Sequence, residues 1–204
     1  MMTTVVGAES GQVLSPEARI DGKSQAEWSR LWWQWAASFQ YDESPIADQT
    51  GQNCQLKQSG RVFFLAGAYG SNRTIRKCGV PRGKYVFFPL INYIVTPCSS
   101  DGSCQSAPTC KEVEDTARAT TDDPAMLILE LDGKRISNLE LHRQASPECF
   151  DMAALANTSL HVYPSASNGY YAMLAPLAPG THVINFGGVL ASMTQAVTYT
   201  LFVE

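Results

Sequence analysis

The stretch that holds all four tryptophans of the chain has apolar residues at helical spacing and predicts an amphipathic helix. The apolar stripe, about 100° wide on a helical wheel, consists of Trp28, Leu31, Trp32, Trp35 and Phe39. Ser24 and Glu27 have the spacing of a capping box, which marks the start of the helix. Trp33 points nearly the opposite way, so it needs a second partner: a covering loop, another subunit or a ligand.

After residue 60 the pattern changes to short β-rich runs separated by turn residues. Residues 61–69 and 84–91 are apolar runs between polar turns, and Asp132-Gly133 is typical of a hairpin turn. Residues 196–204 alternate apolar and polar positions, as a closing strand does. About eight strands predict a mainly β fold, an antiparallel β-sandwich or jelly roll with one N-terminal Trp-rich helix. Strands and helices do not alternate along the sequence, so a parallel sheet is not expected.

The same pattern predicts the domain organisation. Residues 1–20 are polar and aperiodic, and are expected to form a flexible N-terminal arm. Residues 21–204 are enough for a single β-sandwich domain around one core. Residues 96–123 form the longest stretch without periodicity and are expected to be a Cys-rich loop. The helix is expected to cover a sheet face or close an open end.

The composition of the chain excludes some classes of binding partner. The chain of 204 residues is 45% hydrophobic and 17% charged, with a formal net charge of −4. It has no basic run, so nucleic acid is not expected as a partner. No window of 18 apolar residues occurs, so no membrane span is expected. Small-molecule or glycan ligands and a homo-oligomer stay open, and no cofactor or metal is expected.

The cysteines indicate the compartment. The six are Cys54, Cys78, Cys98, Cys104, Cys110 and Cys149. An even number in loop-like contexts favours disulfides and an oxidising compartment over free thiols. Zinc binding is disfavoured because no closely spaced cysteine pair of the C-x2-C type occurs. The first residues lack the features of a signal peptide. The protein is therefore either cytosolic or exported with its signal peptide removed, and because the cysteines favour an oxidising compartment we expect a secreted or periplasmic protein.

Three motifs carry a family resemblance: EWxxxWWQWA from Glu27, the strand VFFLAG, and the late hairpin APLAPGTHVINFGG. In this order they resemble a group of uncharacterised, often exported bacterial proteins with no established activity. The resemblance spans most of residues 24–203 and implies export, but no chemistry. It also supports a Cys54–Cys78 disulfide, and these two cysteines flank the strand at 61–69. The pairing of the remaining four cysteines stays open.

Candidate catalytic residues exist only if the protein is an enzyme. Glu27 and Asp48 are carboxylates that, with His182, could serve a small hydrolase or lyase. Each has a structural alternative. Glu27 fits the capping box, Asp48 fits a turn, and His182 shares an inward strand face with Ile184 and Phe186. No G-x-S-x-G motif accompanies them.

A second set of residues suits ligand binding. Flat aromatic faces and a few polar groups favour a sugar or aromatic ligand. The predicted binding residues are Trp33, Asn92, His142, Tyr170 and Tyr171. The alternatives are ordinary sandwich packing for the tyrosines and a strand end for Asn92. His142 shares its predicted strand face with polar residues and is expected to face solvent.

Three functions follow as hypotheses. The first is an exported, disulfide-stabilised binding or surface-interaction module, with a glycan as one ligand. The second is the small exported hydrolase or lyase. The third is a structural subunit of an extracellular assembly. Exposed aromatic residues support the first, a deep polar pocket the second, and a large apolar patch the third.

Overall fold

A computed structural model of the chain describes residues 10–69, 73–97 and 108–204. The helices are α1 (Gln25–Ala37) and α2 (Cys110–Thr120), with 3-10 turns at Tyr41–Glu43 and Leu139–His142. The strands are β1 (Val62–Phe64), β2 (Thr74–Val80), β3 (Tyr85–Val95), β4 (Met126–Leu131), β5 (Lys134–Arg135), β6 (Arg143–Ala145), β7 (Ala166–Leu174), β8 (Gly180–Leu190) and β9 (Met193–Val203). Residues 1–9 of the predicted arm, Cys98 and Cys104 lie outside the described residues.

The strands form two sheets, with the orders β1-β3-β7-β6 and β2-β9-β8-β4-β5. The mainly β fold is confirmed, but the expectation of a wholly antiparallel sandwich is wrong. β1 pairs with β3 and β2 pairs with β9 in parallel. Between β1 and β3 the chain crosses to the other sheet to form β2, so it re-enters the first sheet in the same direction. Parallel pairs require such crossovers.

The four-stranded sheet is covered on both faces. Every residue of β7 is buried, because alternate side chains face opposite layers. Tyr170, Ala172 and Leu174 pack into the core against the five-stranded sheet. Tyr171 and Met173 pack instead in the cluster that contains the tryptophans of α1. The helix therefore covers the outer face of this sheet, which is one of the two placements that the sequence left open.

Helix α1 begins as its capping box predicts. The Ser24 hydroxyl accepts a hydrogen bond from the backbone N–H of Glu27 at 3.2 Å, and the Ser24 N–H donates to the Glu27 carboxylate at 2.8 Å. Trp28, Trp32 and Trp35 are buried, and their ring N–H groups donate to backbone carbonyls. The apolar stripe is therefore part of the core.

The prediction of a continuous loop over 96–123 is wrong for residues 110–120, which form α2. The sequence held a signal for it, since Thr109 and Glu112 form a second capping box. The expected hairpin after Asp132-Gly133 is also shorter than predicted. Its second strand has two residues, and Asn138 then adopts a left-handed conformation, φ 59°, and starts a 3-10 turn.

Two disulfides join the described residues. Cys54 and Cys78 are bonded, with Cα atoms 6.0 Å apart, which is the pairing supported by the family resemblance. Cys110 and Cys149 form a second bond that ties α2 to the start of the segment leading to β7. No helix in the described ranges is long and apolar enough to cross a membrane.

Candidate functional site

A cavity of about 640 Å³ opens between the end of α1, the C-terminal part of β3 and the loop that precedes β7. Residues that matter for its chemistry are Trp33, Tyr69, Asn92, Tyr93, Met152, Leu160, Val162, Met193 and Gln195. Most of this wall is aromatic, aliphatic or thioether. None of the described residues that line the cavity carries a charge.

Three of the predicted binding residues meet at the inner wall of this cavity. The buried Tyr171 hydroxyl accepts hydrogen bonds from Trp33 Nε1 at 3.2 Å and from Asn92 Nδ2 at 3.1 Å. The Tyr171 ring stacks on Phe87, with centroids 5.4 Å apart. Burial raises the pKa of Tyr171 to about 12, so its hydroxyl is neutral at ordinary pH. The second partner that the sequence required for Trp33 is therefore Tyr171 of β7, and Trp33 also lines the cavity.

Gln195 is a polar residue of the wall whose amide is already paired. Its Nε2 donates to the carbonyls of Pro89 and Leu90 at 2.9 and 2.8 Å, and its Oε1 accepts from the Ala68 N–H at 3.1 Å. With the Trp33 and Asn92 donors also engaged, the cavity offers mainly apolar contact to a ligand.

A buried cation shapes one side of the cavity. Arg76 is only 1% exposed, and its guanidinium lies 5.5 Å from the Tyr199 ring. It donates hydrogen bonds to the Tyr199 hydroxyl and to the carbonyls of Ile46, Asp48, Ala66 and Gly67. Ile46 and Gly67 line the cavity. Arg76 therefore joins two irregular segments into one wall.

The two predicted catalytic carboxylates serve local structure. Glu27 completes the capping box, and the hydrogen bonds from Ser24 lower its pKa. Partial burial of Asp48 opposes ionisation, but hydrogen bonds from Asn53 and Thr50 outweigh it and lower the pKa. Neither carboxylate lines the cavity.

The predicted catalytic histidine, His182, lies at another place. Its Nδ1 is 2.7 Å from Asp132 Oδ2 and its Nε2 is 2.9 Å from the Ala178 carbonyl oxygen. Partial burial opposes protonation, but these two acceptors outweigh it and raise the pKa of His182. Glu27, Asp48 and His182 therefore have separate hydrogen-bond partners and do not converge.

The other two predicted binding residues, Tyr170 and His142, neither line the cavity nor join the hydrogen bonds around Tyr171. Tyr170 packs in the core between the sheets, next to the guanidinium of Arg143 at 5.9 Å. The expectation that His142 faces solvent is wrong, because the 3-10 turn directs it inward and leaves it 8% exposed. Burial lowers the pKa of His142.

Sequence reasoning missed the loop residues that complete the cavity. Met152, Leu160 and Val162 belong to a segment, residues 152–162, that has no regular hydrophobic period. Asp151 directly precedes this segment, and its Oδ2 lies 2.7 Å from Nδ1 of His161 near the other end, a pairing that no local motif indicates. The only sequence signal for these residues was that apolar side chains occur within a stretch that has no hydrophobic period.

Comparisons with known proteins add little. No protein-family model matches the chain, and no curated protein is similar to it. A solved structure described as "Structure of PbICP-C in complex with falcipain-2" aligns with 71% of this chain and 100% of its own, with 10% identity and a TM-score of 0.31. At that TM-score the likeness carries no argument about this chain.

Proposed function

We propose that this protein is an exported, disulfide-stabilised module that binds a small, uncharged, largely apolar ligand in the cavity beside α1. The observation that carries the proposal is a cavity of about 640 Å³ whose described wall contains no charged side chain. Ligand pockets in proteins commonly span about 300–1,000 Å³ and are mostly apolar. The two disulfides support an oxidising compartment.

The pairing of the wall's polar atoms supports an apolar ligand. Trp33 and Asn92 donate to Tyr171, and Gln195 is bonded to the backbone. A ligand rich in hydroxyls would find few free partners among these three side chains, and burying a hydroxyl without a partner is costly. The thioethers of Met152 and Met193 are polarizable and adapt to aromatic rings.

A glycan is the second candidate, because an aromatic pair lies at the cavity rim. Tyr69 lines the cavity and stacks on Tyr41, with centroids 6.4 Å apart and an interplanar angle of 15°. Tyr41 is 78% exposed and Tyr69 is 60% exposed. Exposed flat rings with polar tips suit the apolar face of a sugar.

The hydrolase alternative has weaker support. It needs a carboxylate and a histidine at one site, whereas Glu27, Asp48 and His182 are engaged with different partners. A binding module needs no such convergence. We therefore keep binding as the proposed function.

The test uses N-phenyl-1-naphthylamine, an uncharged aromatic probe whose fluorescence increases in apolar surroundings. We expect saturable binding to the wild-type chain. Ala37→Phe places a ring in the cavity, which Ala37 lines, and should weaken binding at least about tenfold. Ala119→Phe is the matched control, because Ala119 is exposed on α2 and should leave binding unchanged.

Two outcomes decide between the candidates. If soluble oligosaccharides bind and Tyr69→Ala abolishes that binding while the probe does not bind, the glycan candidate replaces the apolar ligand. If the probe binds Ala37→Phe and wild type equally, the cavity is not the site and the proposal is wrong.

A further inference from the structure

The 152–162 segment borders two cavities. The first is the 640 Å³ cavity, and the second, of about 550 Å³, also lies next to the end of α1. Met152, Leu160 and Val162 line both. Side chains that border cavities have fewer packing partners, since voids remove dispersion contacts, so hydrogen bonds contribute more to the position of this segment.

One carboxylate holds the two ends of the segment together. Asp151 Oδ1 accepts hydrogen bonds from the N–H groups of Ala153 and Val162, each at 2.9 Å. Asp151 Oδ2 lies 2.7 Å from His161 Nδ1. The Met152 N–H donates to the Val162 carbonyl at 3.1 Å and closes the stem. Hydrogen bonds to a charged acceptor are stronger than neutral ones.

Beyond the stem, the hydrogen bonds among the described residues stay within the segment. The Ala156 N–H donates to the Ala153 carbonyl, and the Thr158 N–H donates to the Ala156 carbonyl. Within the described part of the chain, no hydrogen bond joins residues 153–161 to residues outside 151–162. Leu155 and Leu160 are more than half exposed. Opening residues 153–161 would therefore break few hydrogen bonds to the rest of the described fold.

The base below the stem is firmly held. Phe150 and Ser165 exchange two backbone hydrogen bonds, each 2.9 Å long. Cys149 is bonded to Cys110 of α2. Gln34 of α1 donates from Nε2 to the Asp151 carbonyl at 2.9 Å. A fixed base next to a loosely attached tip is the arrangement of a hinged loop.

We propose that residues 152–162 form a lid over the ligand cavity, held closed by the Asp151 carboxylate. The lid is open when a ligand enters or leaves, and Met152, Leu160 and Val162 cover the ligand when it is closed. This proposal rests on the proposed function for its ligand, but not for the motion of the segment. Asp151 and Gln34 are positioning residues in this scheme, since neither lines the cavity.

The test substitutes the carboxylate and follows two readouts. Asp151→Ala should raise both the association and dissociation rates of N-phenyl-1-naphthylamine by at least about tenfold, since several bonds to a charged group are lost. It should also raise acrylamide quenching of Trp33, measured as the difference between each protein and its Trp33→Phe counterpart. If Asp151→Ala does not fold, Asp151→Asn, which removes the charge and keeps the shape, should give a smaller change in the same direction.

The control variant disrupts a similar Asp–His pair at a different place in the fold. Asp132 lies 2.7 Å from His182, and neither residue lines the cavity, so Asp132→Asn should leave both readouts unchanged. Unchanged rates and quenching in a folded Asp151 variant would overturn the lid, and so would an equal effect of Asp132→Asn. If wild type does not bind the probe, the proposed function fails, and the quenching comparison alone still decides the lid.

Discussion

Trp33 of α1 and Tyr171 of β7 are joined by a 3.2 Å hydrogen bond from the indole N–H to the phenolic oxygen. The bond connects the helix to the covered face of the four-stranded sheet at the wall of the cavity. The same oxygen accepts from Asn92 of β3. One hydroxyl thus fixes a helix and two strands relative to each other, and three residues that were predicted to bind ligand act as a single unit.

Tyr171→Phe removes that hydroxyl and leaves the buried Asn92 amide without its acceptor. We expect a loss of about 1–3 kcal/mol in the free energy of unfolding, measured by urea denaturation. Tyr163→Phe is the control, because Tyr163 is 59% exposed and should change stability little. Equal stability of wild type and Tyr171→Phe would contradict a structural role for the network.

Trp32→Ala should be strongly destabilising. Trp32 is 2% exposed, and its ring N–H donates to the Leu65 carbonyl at 2.9 Å. Removing the side chain loses apolar burial and leaves a cavity, so we expect a cost of about 3–5 kcal/mol. Thermal unfolding measures it, with the exposed Tyr41→Ala as the control. An unchanged melting temperature would show that α1 is not part of the core.

Arg76→Met should cost at least about 3 kcal/mol, because several buried carbonyls lose their donor at once. Binding of N-phenyl-1-naphthylamine should weaken as well, since Ile46 and Gly67 of the cavity wall are held by Arg76. Arg61→Met is the control, because the Arg61 side chain is 63% exposed. A variant with normal stability and binding would show that the wall does not depend on the buried cation.

His182 should make stability depend on pH. Its folded-state pKa is raised, so protonated His182 stabilises the fold. That contribution is fully present below the unfolded-state pKa of about 6.5 and is lost as pH rises through the folded-state value. The stability difference between wild type and His182→Gln, from denaturation at several pH values, should therefore be largest in mild acid and shrink with rising pH. A difference that grows with pH would have the wrong sign.

The Cys54–Cys78 disulfide closes a separation of 24 residues and should stabilise the fold by roughly 3 kcal/mol. Mass spectrometry of the unreduced protein after proteolysis should find the two cysteines linked. Cys54→Ser with Cys78→Ser should lower stability by about that amount. Six free thiols in freshly purified native protein would contradict both the bond and the proposed export.

The sequence predicted the elements better than their pairing. The capping box and apolar stripe located α1, apolar runs between turn residues located several strands, and alternation located β9. A period of two residues is the same for parallel and antiparallel neighbours, so it could not predict that β2 pairs with β9. Helix α2 escaped prediction because only Val113 and Ala117 are buried on it, too few to give a clear stripe.

The candidate site was predictable in part. Trp33, Asn92 and Tyr171 stood out as an off-stripe tryptophan, a polar residue after an apolar run and an aromatic strand residue, and the structure brings them together. The 152–162 segment has no period, and its placement depends on contacts of Asp151 with chain neighbours up to eleven residues away. Contacts of that kind follow from the folded chain and not from a local pattern.

The position of β9 determines when the five-stranded sheet can assemble during synthesis. β9 lies between β2 and β8 in the sheet, although it is the last strand of the sequence. Residues 74–80 pair with residues 197–203, so β2 has no neighbour in its sheet until β9 has been made. Chains emerge from the ribosome N-terminus first, and pairings that close long loops form slowly. This sheet can therefore be completed only after most of the chain has been synthesised.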